Sequence, residues 1–158
     1  MLDTPNYKPL HQKYFKLMLV RRTVFSIILA AAVFVFYFIN KEKEIPDFVF
    51  LASIIAVFLF VVLYISLTKT IFNRKKYLVH ETYLSYKKGL LVRQMTMIPF
   101  SRIQHIEIDE GPIERYFNLS TLSIYTAGDS GKDLKISGLK KEKAQEIKEL
   151  ITAYIKDE

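Results

Sequence analysis

Two long stretches without any charged residue constrain this chain more than any other feature of its sequence. The first covers 23–39 (TVFSIILAAAVFVFYFI, seventeen residues) and the second covers 48–68 (FVFLASIIAVFLFVVLYISLT, twenty-one residues). Since a helix rises about 1.5 Å per residue, roughly 20 apolar residues cross the hydrocarbon core of a bilayer. The first stretch reaches that length if Asn40 is included and Arg22 extends towards the headgroups. The sequence therefore predicts two transmembrane helices, 23–40 and 48–68.

Two other interpretations of these stretches fit the sequence less well. A signal peptide is disfavoured because the first stretch begins only after 22 residues, lacks a small-x-small cleavage site and carries bulky aromatic residues near its end. The two stretches could instead be core helices of a soluble protein. They would then be apolar on every face, and the rest of a 158-residue chain is too small to cover them. A membrane-spanning hairpin is the remaining interpretation.

Lysine and arginine flank the hairpin unevenly, which predicts its orientation. The connector offsets Lys41 and Lys43 with three acidic residues, whereas both outer flanks are strongly basic. The flanking cations are Lys8, Lys13, Lys16, Arg21 and Arg22 before the hairpin, and Lys69, Arg74, Lys75 and Lys76 after it. The positive-inside rule then predicts a multi-pass protein of the cell membrane with both termini in the cytoplasm. We call Lys69, Arg74, Lys75 and Lys76 the juxtamembrane cluster and expect it to face anionic lipid headgroups.

The polar groups inside the two stretches are few. Ser26, Ser53 and Ser66 are the clearly polar residues there, and we expect them to hydrogen-bond the backbone or a neighbouring helix. Without an ionisable group inside the membrane, a transporter or channel is not expected of a monomer. The absence of cysteine excludes disulfides and thiolate chemistry. The net charge of +7 suits an anionic partner, but no aromatic–basic motif indicates nucleic acid.

The sequence after the hairpin changes to short alternating runs that are typical of β-strands. The predicted strands lie around 77–79, 84–86, 103–109, 121–128 and 133–139, with turns at 88–89, 111–112 and 129–133. The last segment, 140–158, predicts an amphipathic helix, and we expect it to pack on the domain rather than lie on the membrane. Its apolar stripe contains Ala144, Ile147, Leu150, Ile151, Tyr154 and Ile155. The sequence thus predicts an α+β membrane protein with a basic amino-terminal segment 1–22, a transmembrane hairpin 23–68 and a cytoplasmic domain 69–158.

Three short motifs in this order resemble a known family. They are PFSRIQ at 99–104, GPIERYF at 111–117 and TAG at 126–128, and they follow a basic RKKY entry at 74–77. Together with the two apolar stretches and the final helix, they resemble the bacterial pleckstrin-homology-like membrane proteins of the YdbS-like family. The resemblance implies a small β-barrel of two bent antiparallel sheets, seven strands in all, capped by the carboxyl-terminal helix. It does not imply the phosphoinositide binding of the eukaryotic namesakes.

The family motifs contain the candidate site residues. Asn118 stands where many relatives carry glycine, and we expect it to adopt the left-handed conformation that the turn needs. Glu114 and Arg115 are placed to pair with Arg102 or with each other, which is a structural role. The alternative is that Arg102 and Gln104, near such a pair, mark the rim of a partner-binding surface.

Three hypotheses for function follow. The first is a non-enzymatic membrane-anchored scaffold without a cofactor. It binds another membrane protein or a second copy of itself, or else the surface of the lipid bilayer. The second is a component of envelope-stress or antimicrobial-peptide resistance, on family analogy alone. The third is a metal-dependent enzyme using His105, Glu107 and Asp109, which alternate on one strand face. The wet face of any amphipathic strand shows the same alternation, and no catalytic sequence motif accompanies it.

Overall fold

A computed structural model describes residues 6–39, 46–126 and 134–156. The chain divides into two compact units. The hairpin unit comprises 18–69, and the domain unit comprises 1–17 together with 70–158. The domain unit therefore includes part of the amino-terminal segment that the sequence prediction set apart as 1–22.

The hairpin is made of two long helices, α1 (Gln12–Ile39) and α2 (Asp47–Arg74). Both are long and apolar enough to cross a membrane, and only 6% and 0% of their most apolar windows are buried within the protein. A core helix of a soluble protein would be mostly buried, so this exposure favours a membrane environment. The two helices are joined by hydrogen bonds from Arg22 of α1. Its guanidinium donates to the Tyr64 carbonyl of α2 and, at 3.0 Å, to Thr68 Oγ1 of α2.

Both helices extend beyond the predicted spans on their basic flanks. α1 begins at Gln12 because residues 12–18 continue as an amphipathic helix, with Tyr14, Leu17 and Met18 buried. The expected serine hydrogen bonds are confirmed by the structure. Each hydroxyl donates to a carbonyl of its own helix: Ser26 to Arg22, Ser53 to Phe50 and Ser66 to Leu63.

The domain unit contains two antiparallel sheets. The first has the order β1-β2-β3-β4, and the second has the order β5-β6-β7. The strands are β1 (Lys8–Pro9), β2 (Lys76–Val79), β3 (Tyr83–Lys88), β4 (Gln94–Pro99), β5 (Ile103–Asp109), β6 (Leu119–Thr126) and β7 (Leu134–Lys140). A short 3-10 helix, Phe100–Arg102, joins the sheets, and α3 (Pro112–Tyr116) joins β5 to β6. The helix α4 (Lys141–Lys156) follows β7.

This architecture confirms the predicted α+β fold, but the two sheets do not close into a barrel. β4 is the last strand of its sheet and β5 the first of the other, and the 3-10 helix lies between them in the chain. The strands predicted around 77–79, 84–86 and 103–109 are confirmed. Asn118 has φ +54°, as expected for the turn after α3. The turn predicted at 129–133 falls outside the described residues.

The core of the domain lies under α4. The helix contacts β5, β6 and β7, and Tyr154 meets the Phe100 ring edge-on at 5.4 Å between centroids. Of the predicted stripe, Ala144, Ile147 and Ile151 are buried, whereas Leu150 and Ile155 are exposed. The prediction that this helix packs on the domain is therefore confirmed. Fully buried partners from the strands are Leu84, Leu119, Leu122, Ile124, Ile136 and Leu139.

The amino-terminal segment is built into the domain. Lys8 and Pro9 pair with Tyr77 and Lys76 of β2, which makes β1 an edge strand. The His11 amide donates to the Gly138 carbonyl at 3.2 Å. Part of the basic segment 1–22 is thus folded with the domain, and its apolar residues Leu10, Tyr14 and Leu17 are buried.

Candidate functional site

A basic pocket lies where α2 ends and the β3–β4 hairpin turns. Its volume is about 420 Å³. The lining residues are Asn73, Arg74, Lys76, Lys87, Lys88, Gly89, Arg93, Gln94 and Met95. Five of these nine carry a positive charge, and none of the nine is acidic. Such a site attracts anions and repels cations.

The strand register places two of the cations face to face. Lys76 of β2 lies directly opposite Lys87 of β3. Like charges at directly opposed positions of an antiparallel pair destabilise the sheet. Lys87 gains a partial compensation from the Tyr7 ring, whose centroid lies 3.7 Å from its ammonium nitrogen.

The loop of the β3–β4 hairpin requires glycine at its first position and contacts the end of α2. Gly89 has φ +109°, and a Cβ at that position would lie 1.9 Å from the Val92 carbonyl oxygen. The Arg74 guanidinium donates to the Leu90 carbonyl at 3.3 Å, which ties the end of α2 to this loop. The end of α2 and the hairpin loop together form the pocket wall.

The tip of the same loop is apolar and fully in contact with solvent. The exposed fraction is 95% for Leu91 and 73% for Val92. Lys87 and Lys88 precede the tip and Arg93 follows it. An apolar tip between cations is the pattern of a segment that dips into the boundary of an anionic membrane.

The edge strand β4 carries a second exposed apolar feature. Met95 and Met97 are 56% and 49% exposed. Both project from the same face of the strand because they are two residues apart. β4 is the last strand of its sheet, so one side of its backbone has no strand partner among the described residues.

Glu114 has a structural role in the molecule. Its Oε2 accepts the Gly111 amide at 2.8 Å, and its Oε1 accepts the Thr121 hydroxyl at 3.4 Å. This is the glutamate half of a capping box at the start of α3, since glycine has no side chain to supply the other half. The carboxylate thus organises the corner between β5 and β6.

The other three motif residues lie on the surface and are not joined to Glu114. Arg102 ends the 3-10 helix, Gln104 lies on β5 and Arg115 lies on α3, and all three side chains are exposed. Within the described ranges, neither arginine forms an ion pair with Glu114. Their proposed role at a partner-binding rim stays a prediction.

The juxtamembrane cluster separates into different environments. Arg74 and Lys76 line the basic pocket. The Lys75 ammonium donates to the Tyr14 hydroxyl at 3.2 Å, and Lys69 is an exposed residue of the hairpin unit. Sequence reasoning missed Lys87, Lys88 and Arg93 as partners of this cluster. The available signal was the pattern KKGLLVR at 87–93, in which cations bracket an apolar turn.

The predicted metal ligands are engaged in other contacts. Tyr125 donates its hydroxyl to Glu107 at 2.7 Å, and Ser123 donates to Asp109 at 3.0 Å. His105 Nε2 lies 3.4 Å from Glu107 Oε1. In the part of the chain that the structure describes, no group of three histidine, cysteine or acidic residues is placed to hold a metal ion.

Comparisons with known proteins agree with the motif resemblance. The family model for the bacterial PH domain matches residues 22–155. The UPF0699 transmembrane protein YdbS of Bacillus subtilis (strain 168) is 30% identical over 77 residues, which is 49% of this chain and 46% of that protein. The aligned segment therefore spans slightly less than half the length of this relative. No solved structure matches the chain.

Proposed function

This chain belongs to the bacterial PH domain family, and we propose that it is a non-enzymatic scaffold that binds another membrane protein. The family relationship to a transmembrane protein and the two exposed apolar helices support a membrane location. We propose further that both termini face the cytoplasm, on the strength of the flanking lysines and arginines. The hairpin is then an anchor that restricts the domain to partners near the bilayer.

The observation that carries this proposal is the character of the edge strand β4. Soluble proteins normally protect sheet edges with charged residues, proline or very short strands. β1 follows that rule, since it is two residues long and contains Pro9. β4 has six residues, a proline only at its end, and the exposed Met95 and Met97.

A strand with these properties suits the addition of a partner strand. Main-chain hydrogen bonds to β4 would supply affinity, and the two methionine side chains would supply an adaptable apolar contact. The partner on this view presents an extended segment with apolar residues at alternate positions. A second copy of the chain satisfies the same description.

The hydrogen bonds that three carboxylates accept within the domain support a non-enzymatic role. Glu107, Asp109 and Glu114 are committed to hydrogen bonds with Tyr125, Ser123 and the Gly111 amide. These contacts stabilise the β5–β6 region, which is a structural role for the three carboxylates.

Site-specific photocrosslinking in intact membranes tests the proposal. A photoreactive amino acid at Met97 is compared with one at Thr152, an exposed position on α4 whose hydroxyl bonds its own helix. The Met97 probe is expected to give one dominant adduct with a membrane protein or a second copy, and the Thr152 probe is not. Equal or absent adducts at the two positions would contradict a partner-binding role for β4.

A further inference from the structure

We propose that the basic pocket binds a phosphate group, and that the source of this phosphate is the headgroup of an acidic phospholipid. The proposal goes beyond the scaffold function, since it concerns a pocket rather than the free edge of β4 and requires no protein partner. Met95 borders this pocket, whereas Met97, the position of the crosslinking probe, does not. The proposal depends on three features of the described residues: the convergence of charge, the restrained loop and the apolar tip.

The charge arrangement favours the binding of an anion. Lys76 and Lys87 are held opposite each other by the strand register, with Arg74, Lys88 and Arg93 around the same cavity. If these cations served only to determine the membrane topology, they would not need to share one cavity. Two of them would also not need to lie opposite each other in the sheet. A phosphate bound over the two lysine side chains converts the repulsion into charge-assisted hydrogen bonds.

The loop that forms one wall of the pocket is tied to the end of α2. Gly89 allows the turn its positive φ, and the hydrogen bond from Arg74 to the Leu90 carbonyl restrains the loop. A restrained loop has a lower entropy cost of ordering on binding.

The neighbouring surface favours a lipid over a soluble phosphate. Leu91 and Val92 extend from the rim of the pocket into solvent and have no use in binding a small hydrophilic molecule. Arg74 follows the uncharged stretch 48–68 by only six residues of chain. An apolar tip beside a phosphate site matches a lipid, which presents a charged headgroup above an apolar layer.

Native mass spectrometry of the full-length chain in a neutral detergent tests the site. The probes are short-chain phosphatidylglycerol, phosphatidylcholine of the same chain length and glycerol 3-phosphate. The triple variant Lys76→Gln/Lys87→Gln/Arg93→Gln is compared with Lys135→Gln/Lys148→Gln/Lys156→Gln, which removes the same charge from β7 and α4. At roughly fivefold per cation near an anionic headgroup, the pocket variant should bind phosphatidylglycerol on the order of 100-fold more weakly.

A second variant distinguishes the loss of lipid binding from a loss of folding. Lys76→Glu changes the opposed like-charge pair into an attractive pair with Lys87, so it should unfold at the same or a higher temperature than the wild type. It should nevertheless lose phosphatidylglycerol binding. Retained binding in Lys76→Glu, equal losses in the pocket and control triples, or equal binding of phosphatidylcholine would each overturn the site.

The apolar tip distinguishes the two sources of phosphate. Leu91→Ser/Val92→Ser should weaken phosphatidylglycerol binding and leave the much weaker binding of glycerol 3-phosphate unchanged. If glycerol 3-phosphate binds the wild type as tightly as the lipid does, and the tip variant alters neither, the lipid assignment is wrong. None of these variants changes a residue of β4, and Met97 does not line the pocket. A failure of lipid binding is therefore distinguishable from a failure of the photocrosslinking test at Met97.

Discussion

Tyr14 occupies the space that a side chain at position 138 would need. A Cβ built on Gly138 would lie 2.2 Å from Tyr14 Cγ, and Gly138 itself has φ +84°. The Tyr14 hydroxyl accepts a hydrogen bond from the Lys75 ammonium, and the His11 amide donates to the Gly138 carbonyl. The first turn of α1 is thereby fixed to β7 and to the chain that enters β2.

Replacing Gly138 by alanine tests this contact. Gly138→Ala should lower the free energy of unfolding of the domain by about 3 kcal/mol, because the new methyl group clashes with Tyr14 and the backbone is left-handed. Urea titration of the detergent-solubilised protein, followed by tyrosine fluorescence, measures the loss. Ser137→Ala, the neighbouring change, should cost much less, and similar losses for both would contradict the packing described.

His11 should make the stability of the domain depend on pH. It precedes α1, and its Nδ1 accepts the Lys13 amide at 3.2 Å, which makes it a cap for the helix. Burial, followed by the charges of Lys140 and Lys13, lowers the pKa of His11 below its ordinary 6.5. The unfolded state therefore takes up the proton first, and stability present above pH 6.5 is lost as the pH falls through the lowered value.

Thermal unfolding at a series of pH values measures this effect. The wild type should lose stability on acidification below pH 6.5, and His11→Asn, which can cap without titrating, should lose less over the same range. Parallel curves for the two proteins would show that His11 does not carry the dependence.

Glu114 and Arg115 are adjacent in sequence but should differ in their contribution to stability. Glu114→Ala removes the acceptor of the Gly111 amide and should cost about 1 kcal/mol. Arg115→Ala, an exposed neighbour on the same short helix, should change stability by less than about 0.5 kcal/mol. Urea titration of both variants checks this, and a larger effect of Arg115→Ala would indicate a structural pairing that the fold does not show.

Arg22 should stabilise the hairpin through α2. Its guanidinium donates to the Tyr64 carbonyl and to Thr68 Oγ1, and lies 4.2 Å from the centroid of the Tyr64 ring. Arg22→Leu should destabilise the hairpin by about 2 kcal/mol, since charge-assisted hydrogen bonds are lost. The helical circular dichroism signal during an SDS titration measures the effect. The exposed Arg21→Leu is the control, and equal midpoints for the two variants would contradict the role of Arg22.

The elements that the sequence predicted well are those with a strong local signal. The apolar stretches 23–39 and 48–68 identified both helices, and the alternation at 103–109 identified β5. The sequence also predicted the left-handed Asn118, because the family motif showed where a turn was required.

The features it did not predict depend on contacts between distant residues. Lys8 and Pro9 form β1 only because β2, almost seventy residues later, offers an edge. The basic pocket likewise brings Lys76 opposite Lys87 through strand register, and Arg74 and Arg93 line the same cavity. Glu114 was expected to pair with an arginine, but the nearby Gly111 amide is its partner because the turn of α3 brings that donor within 2.8 Å.

The proposed function depends most on a membrane hairpin with its connector outside the cell and the folded domain in the cytoplasm. Since the chain has no cysteine, single cysteines at Glu44 and Glu142 can be labelled in whole cells with a membrane-impermeant maleimide. We expect the Glu44→Cys protein to react in intact cells and the Glu142→Cys protein to react only after lysis, both from the membrane fraction. Labelling of Glu142→Cys in intact cells, protection of Glu44→Cys until lysis, or recovery of the protein in the soluble fraction would contradict the account.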